Sequence, residues 1–222
     1  MDHTNNVDIY SQKLSDEEFR RIQRFMLDTL GIKLAPIKIV MVNSRLIKRL
    51  KNTGIGNFKD YLDYALSPEG RVSGEFECMI DELTTHKTDF FREPEHFVFL
   101  REQILPKFVP DRYNPFKIWS AGCSTGEEPY TMGMILSEYQ LANPAFDFSI
   151  YATDVSNASV LKGVRAIYNK DSLSNVDKSL VRKYFLISRD STENKVRVMK
   201  QLREKIHFSI LNLVDDYFFQ ND

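Results

Sequence analysis

At 222 residues and 42% hydrophobic content, the chain can bury a sizeable core and falls between one large domain and two small ones. A formal net charge of −1 excludes the strong basic field of a nucleic-acid or membrane-surface binder. Cys78 and Cys123 stand far apart and the four His lack ligand spacing, so neither a disulfide framework nor a metal is expected. A reduced, cytoplasmic compartment is the simplest inference. The polar start MDHTNNVD lacks the apolar core of a signal peptide, and no apolar run approaches a membrane span.

Residues 1–12 read as disordered and residues 13–84 as an N-terminal helical domain. Ser15 and Glu18 form a capping box, with Leu14 and Phe19 spaced as a hydrophobic staple. Phe19, Ile22, Met26 and Leu30 repeat at helical spacing, and Gly31 is placed to end the helix. A second helix starts near Pro36 and runs to about Asn52. From Lys33 to Lys51 the chain carries six basic residues and no acidic one. This is either a solvated helix face or a local positive field suited to an acidic partner. The run has no interleaved aromatics, which argues against nucleic acid. Asn57 caps a third helix, and Phe76, Met79, Ile80 and Leu83 mark a fourth.

Residues 85–115 read as a linker and helix leading into a second domain. The stretch from Thr84 to Glu93, TTHKTDFFRE, breaks the helical pattern, and Phe90 and Phe91 are bulky enough to pin it to a core. Pro94 supports a new helix start carrying Phe97, Leu100 and Ile104.

Residues 116–222 read as an α/β domain. Phe116 to Ser120 is a short apolar strand, which breaks at Ala121-Gly122 into the small-residue loop Cys123 to Gly126 and opens a helix at Glu127, Glu128 and Pro129. Strand, glycine loop and helix start bring backbone close to a nucleoside ligand. The two carboxylates oppose a di- or triphosphate at that helix start, and no Lys follows the loop. A ligand carrying cationic groups and hydroxyls is favoured, and S-adenosylmethionine has a sulfonium, an ammonium and a ribose diol. The plainer alternative is a tight turn with dipole-complementing Glu residues. Cys123 reads as a small space-filler in the loop.

The helix from Glu127 runs to about Leu141, and Phe148 to Ala152 is a second strand that delivers Asp154 at its end. An acidic residue there accepts hydrogen bonds from a ribose diol, and its place one strand and one helix after the glycine loop favours that role over the plainer one of Asp154 or Ser156 as a helix cap. Ser156 to Val164 and Asp177 to Tyr184 read as helices. Lys195 to Met199 and Ile206 to Ile210 alternate as strands, and Ile210 to Leu213 reads as a third parallel strand and its exit.

The run Trp119 to Tyr130, WSAGCSTGEEPY, followed by Thr131, resembles the signature WSAGCSTGEEPYS of the chemotaxis receptor methyltransferase family. The junction resembles that family's TTN-x-T-x-FFRE, with His86 where the family has Asn. Ala152-Thr153-Asp154 matches its ATD motif, and Asn212-Leu213 its NL pair. The likeness runs from about Leu14 to Leu213. It implies an N-terminal helical bundle followed by a doubly wound, Rossmann-like domain, with an inserted antiparallel β-subdomain at about 168–210.

The resemblance further implies S-adenosylmethionine-dependent methylation of glutamates on chemoreceptor cytoplasmic helices, with S-adenosylhomocysteine as product. By residue matching, His86, Thr88, Arg92, Gly122, Glu127, Asp154, Asn212 and Leu213 fall at the cofactor, with Arg92 beside the transferred methyl as the catalytic candidate. Lys38, Arg45, Lys48 and Arg49 fall on the basic helix expected to meet the receptor, and the β-subdomain could grip a receptor tail by strand addition. A glutamate carboxylate is ionised at neutral pH, with a reference pKa of roughly 4.3. Catalysis is then mostly proximity and alignment, and needs no Ser-His or Cys-His pair.

The family's next strand and its FCRN-x-x-IY motif find no match before Asp222, so a C-terminally truncated domain is expected, with an open sheet edge through which copies could associate. The rival expectation is a non-catalytic module that binds receptor or cofactor without transferring a methyl group.

Overall fold

The first helix begins where its sequence dictates. In the structure, a computed structural model that describes residues 11–84, 87–110, 114–190 and 192–215, Ser15 accepts from the Glu18 N–H at 3.2 Å while the Glu18 carboxylate accepts from the Ser15 N–H at 2.7 Å. This reciprocal pairing satisfies donors that the first helical turn leaves open. Helix α1 (Asp16–Leu30) buries Phe19, Ile22, Met26 and Leu30, and ends at Gly31 with φ of 66°. The Gly31 and Ile32 N–H groups return to the carbonyls of Leu27 and Met26, a paired closure that the left-handed glycine permits. The expected disorder of residues 1–12 falls almost wholly on residues outside the described ones; of the two that are described, Gln12 offers its carbonyl to the Asn43 amide at 3.5 Å.

The chain divides into two compact units, residues 1–85 with 212–222 and residues 86–211. In the first, a 3₁₀ turn at Pro36–Lys38 leads into α2 (Ile39–Thr53), followed by α3 (Phe58–Ala65), α4 (Pro68–Val72) and α5 (Glu75–Leu83). Asn57 caps α3 by accepting from the Asp60 N–H at 2.8 Å. Helix α4 is the element that periodicity missed: it is one turn long, held by Pro68 at its start and Ser67 as its cap. Val42, Leu46, Leu50, Phe58, Tyr61 and Met79 are buried in its interior.

In the second unit, α6 (Pro94–Phe99) loosens into a π-turn at Leu100–Ile104 and a 3₁₀ turn at Leu105–Lys107. Strand β1 (Phe116–Ala121), α7 (Glu127–Ala142), β2 (Phe148–Asp154) and α8 (Asn157–Arg165) follow. Then come β3 (Ile167–Asn169), α9 (Lys178–Tyr184), β4 (Phe185–Ile187), β5 (Lys195–Val198), α10 (Lys200–Arg203) and β6 (Ile206–Ile210). Strands β1, β2 and β6 make a parallel sheet in that order, and β3, β5 and β4 a small antiparallel one. Phe90, Tyr130, Met134, Phe146, Ile150, Tyr168, Phe185 and Val198 belong to one continuous apolar core.

One expectation is corrected. Ile206–Ile210 is the third parallel strand, paired with β2 from Ile150↔Ile206 to Asp154↔Ile210, and is not part of the antiparallel insertion. Its alternation is that of a strand at the sheet's edge with an exposed face. Alternation reports exposure on one face, and says nothing of which partner the strand takes. Among the described residues no helix is long and apolar enough to cross a membrane.

Candidate functional site

The loop between β1 and α7 is shaped by three residues in the left-handed region: Gly122 at φ of 74°, Ser124 at 49° and Gly126 at 96°. The N–H groups of Gly122 and Cys123 both donate to the Thr153 carbonyl at 2.8 Å, which fastens the loop to the end of β2. Its two glycines differ in purpose. A Cβ on Gly126 would lie 3.0 Å from both the Gly163 backbone and the Tyr168 hydroxyl, so that glycine permits close packing. A Cβ on Gly122 would meet nothing within 4 Å; the backbone there faces open space. A ligand can approach that face closely.

Two carboxylates accept hydrogen bonds from this loop. Asp154 closes β2, its oxygens accepting from the Ser124 N–H at 2.7 Å and the Ser156 N–H at 2.9 Å. Each carboxylate oxygen carries a second lone-pair site, so capacity for a diol remains. The helix-cap alternative is resolved in favour of Ser156, whose hydroxyl accepts from the Ser159 N–H at 3.1 Å. Glu127 is buried in the first turn of α7 and accepts from the Thr125 hydroxyl at 2.6 Å. Burial pushes its carboxyl above the ordinary range, and the Thr125 hydrogen bond only partly offsets this. A cation seated beside it would relieve that cost. Cys123 is buried and its thiol is pushed up to about 12, chiefly by desolvation, so it is no nucleophile at neutral pH.

The junction motif reaches the same helix turn. Phe90 is fully buried, its ring edge-on to Tyr168 at 5.1 Å and to Phe185 at 5.5 Å. The Phe91 N–H donates to the Thr131 hydroxyl at 3.2 Å, and that hydroxyl donates to the Glu127 carbonyl at 2.8 Å. Arg92 stands exposed with its guanidinium on the Lys87 carbonyl at 2.7 Å, and Thr88 is half-buried. His86 lies outside the described residues. Asn212 and Leu213 belong to the first unit, where the Asn212 amide donates to the Thr29 carbonyl at 2.7 Å. The tethering roles of Tyr168 and Thr131 have no signal in the sequence, since a lone Tyr or Thr carries no pattern that tells a tether from packing.

The basic helix is only partly free. The Arg49 guanidinium makes a two-pronged contact with Glu75 at 2.9 and 2.6 Å, and Tyr61 donates to the same carboxylate at 2.8 Å. Arg45 Nη1 lies 3.0, 3.3 and 2.7 Å from the carbonyls of Glu82, Leu83 and Thr84, closing the end of α5. These two half-buried arginines are engaged in bonds that join α2 to α5 and to the residue after it. Lys38 and Lys48 remain exposed.

Residues 86–222 match the family model described as the CheR methyltransferase SAM-binding domain, and residues 17–84 match the CheR methyltransferase all-alpha domain. The chain belongs to the CheR methyltransferase family. It is 36% identical over 210 residues to a chemotaxis protein methyltransferase of Borreliella burgdorferi, covering 92% of this chain and 72% of that protein. It is 35% identical over 201 residues to one of Escherichia coli, covering 90% of this chain and 68% of that protein. Its cofactor is S-adenosylmethionine. The open Gly122 backbone, the spare acceptors on Asp154 and the buried acid at Glu127 fit its ribose and its positive charge.

Proposed function

We propose that this chain methylates glutamate side chains on the cytoplasmic helices of chemoreceptors, as part of chemotactic adaptation in the cytoplasm. The observation that carries the reading is the pair of carboxylates, Asp154 and Glu127, that accept hydrogen bonds from Ser124 and Thr125 of the loop whose Gly122 backbone faces open space. When bound, S-adenosylmethionine supplies an electrophilic methyl on a sulfonium. Asp154 would accept from its ribose diol, Glu127 would offset its cationic end, and Thr88 and Arg92 would contribute from the junction segment. The planar guanidinium fork of Arg92 holds the acceptor carboxylate in place. No general base is required, because the acceptor is already ionised.

Receptor docking falls to the exposed Lys38, in the turn before α2, and Lys48, on α2 and 3.5 Å from the Glu82 carboxylate, which suit an acidic helical surface. Strand β4 lies at the edge of the small sheet with Leu186 and Ile187 exposed, and is where a receptor tail would add as a further strand.

The test is calorimetric titration of the chain with S-adenosylhomocysteine, followed by methyl transfer to a receptor cytoplasmic fragment whose acceptor glutamates are replaced one at a time. Labelling that disappears with specific glutamates supports the reading. Cofactor binding with no transfer to any receptor fragment supports instead a module that binds without catalysing.

A further inference from the structure

Arg92 sits in a turn that the backbone does not favour. Phe91 has φ of 56° and Glu93 φ of 55°, so two non-glycine residues in the left-handed region flank it. Such residues persist only where the surroundings over-determine them. Here the restraints can be named. Phe90 is locked in the core, the Phe91 ring packs edge-on to Phe97 at 5.8 Å, and the Phe91 N–H is taken by Thr131. The first two restraints are apolar and fix the direction of the chain. Within the segment, the Arg92 N–H donates to the Asp89 carbonyl at 3.3 Å and its guanidinium to the Lys87 carbonyl at 2.7 Å; the Phe91 bond to Thr131, one residue before Arg92, ties the segment to α7.

Thr131 is fully buried on the second turn of α7. Its hydroxyl donates to the Glu127 carbonyl at 2.8 Å and accepts from Phe91 at 3.2 Å, so both ends of the O–H group are used. The bond to Glu127 fixes the rotor, and the fixed rotor presents its lone pair to the junction segment.

We propose that Thr131 is a positioning residue for methyl transfer: through the Phe91 N–H it sets where the Arg92 guanidinium stands relative to the first turn of α7. The inference rests on the reading of Arg92 given above. Thr131 does not touch the reacting atoms in this assignment. It acts through the backbone on a residue that does, and the expected penalty for a loosened turn is one of alignment, up to about 100-fold for an ångström of misplacement.

The experiment compares the wild-type chain with Thr131→Val, Thr131→Ser and Arg92→Ala, and with the Thr131→Val/Arg92→Ala double variant. Two readouts are taken: amide hydrogen exchange over residues 87–93, and the rate of methyl transfer to a receptor fragment. The valine variant should exchange at Phe91 at least about tenfold faster, as expected when one protecting hydrogen bond is lost. It should also lose about 10- to 100-fold in kcat, with serine restoring both. In the Arg92→Ala background the valine substitution should cost nothing further.

Unchanged exchange at Phe91 overturns the proposal whatever the activity. An additive loss in the double variant also overturns it, placing Thr131 in the structure of α7 alone. If Arg92→Ala leaves the rate intact, the catalytic reading of Arg92 fails, and the positioning role fails with it even if the exchange result stands. Should the valine variant not fold, Thr131→Ala removes the same hydroxyl and is read by the same criteria.

Discussion

The Tyr168 hydroxyl donates to the Thr125 carbonyl at 2.8 Å, tying the first strand of the small antiparallel sheet to the glycine loop. The same ring stands edge-on to Phe90, two residues before Arg92. One tyrosine therefore braces both the loop and the segment that bears the proposed catalytic arginine. Tyr168→Phe keeps the ring and removes the tether, leaving a buried carbonyl short of its donor at a cost of about 1–3 kcal/mol. Amide exchange over residues 122–126 should quicken and S-adenosylhomocysteine should bind about tenfold more weakly. Unaltered exchange would show that packing alone holds the loop.

Asp154 accepts from two backbone N–H groups and, in the proposed role, from two ribose hydroxyls. Asp154→Ala should weaken S-adenosylhomocysteine binding at least about 100-fold, as hydrogen bonds to a charged group contribute about 1.5–3 kcal/mol each. Unfolding should remain cooperative. Calorimetry beside thermal melting separates the two effects, and unchanged affinity would remove the ribose assignment.

Glu127 gives the site a pH dependence of definite sign. Burial raises its folded pKa above the unfolded value, so the free folded protein holds a proton over a range where the unfolded chain has lost it. Stability therefore falls as pH rises from the ordinary carboxylate range to the raised one. A cationic ligand favours the ionised form, so binding expels that proton and affinity falls as the solution is acidified through the raised range. Titrations in buffers of different ionisation heat should detect proton release that vanishes in Glu127→Gln.

The Arg49–Glu75 pair and the exposed lysines should respond in opposite ways. The pair is nearly enclosed, with side-chain exposures of 14% and 8%. Glu75→Ala strands a guanidinium and should lower stability by about 3–5 kcal/mol in urea unfolding. Lys38→Glu and Lys48→Glu should change stability by no more than about 0.5 kcal/mol. They should instead weaken receptor binding and flatten its salt dependence. Equal receptor affinity after both lysine reversals would mean that the basic helix is not the docking face.

Cys123 should prove inert. Its buried thiol is pushed up to about 12, so an alkylating reagent at neutral pH should leave it unmodified in the folded chain and label it after denaturation. Rapid native labelling would show that the loop opens more readily than its hydrogen bonds imply.

The sequence by itself determined the elements whose signals are local. Ser15 with Glu18, Gly31, Asn57 and the strand–glycine–helix passage from Phe116 to Glu127 each act within a few residues, so cap, turn and period could be read directly. The long run from Trp119 to Thr131 also carried the family. Pairing and partnership could not be read that way. Whether Ile206–Ile210 joins the parallel sheet or the small one is settled by the partner it meets, and its alternation fits either. A basic residue looks the same in the sequence whether it faces water, as Lys38 does, or Glu75, as Arg49 does. The roles of Thr131 and Tyr168 depend on hydrogen bonds spanning 40 and 43 residues, so only the folded chain, by closing those distances, turned two ordinary hydroxyls into supports of the site.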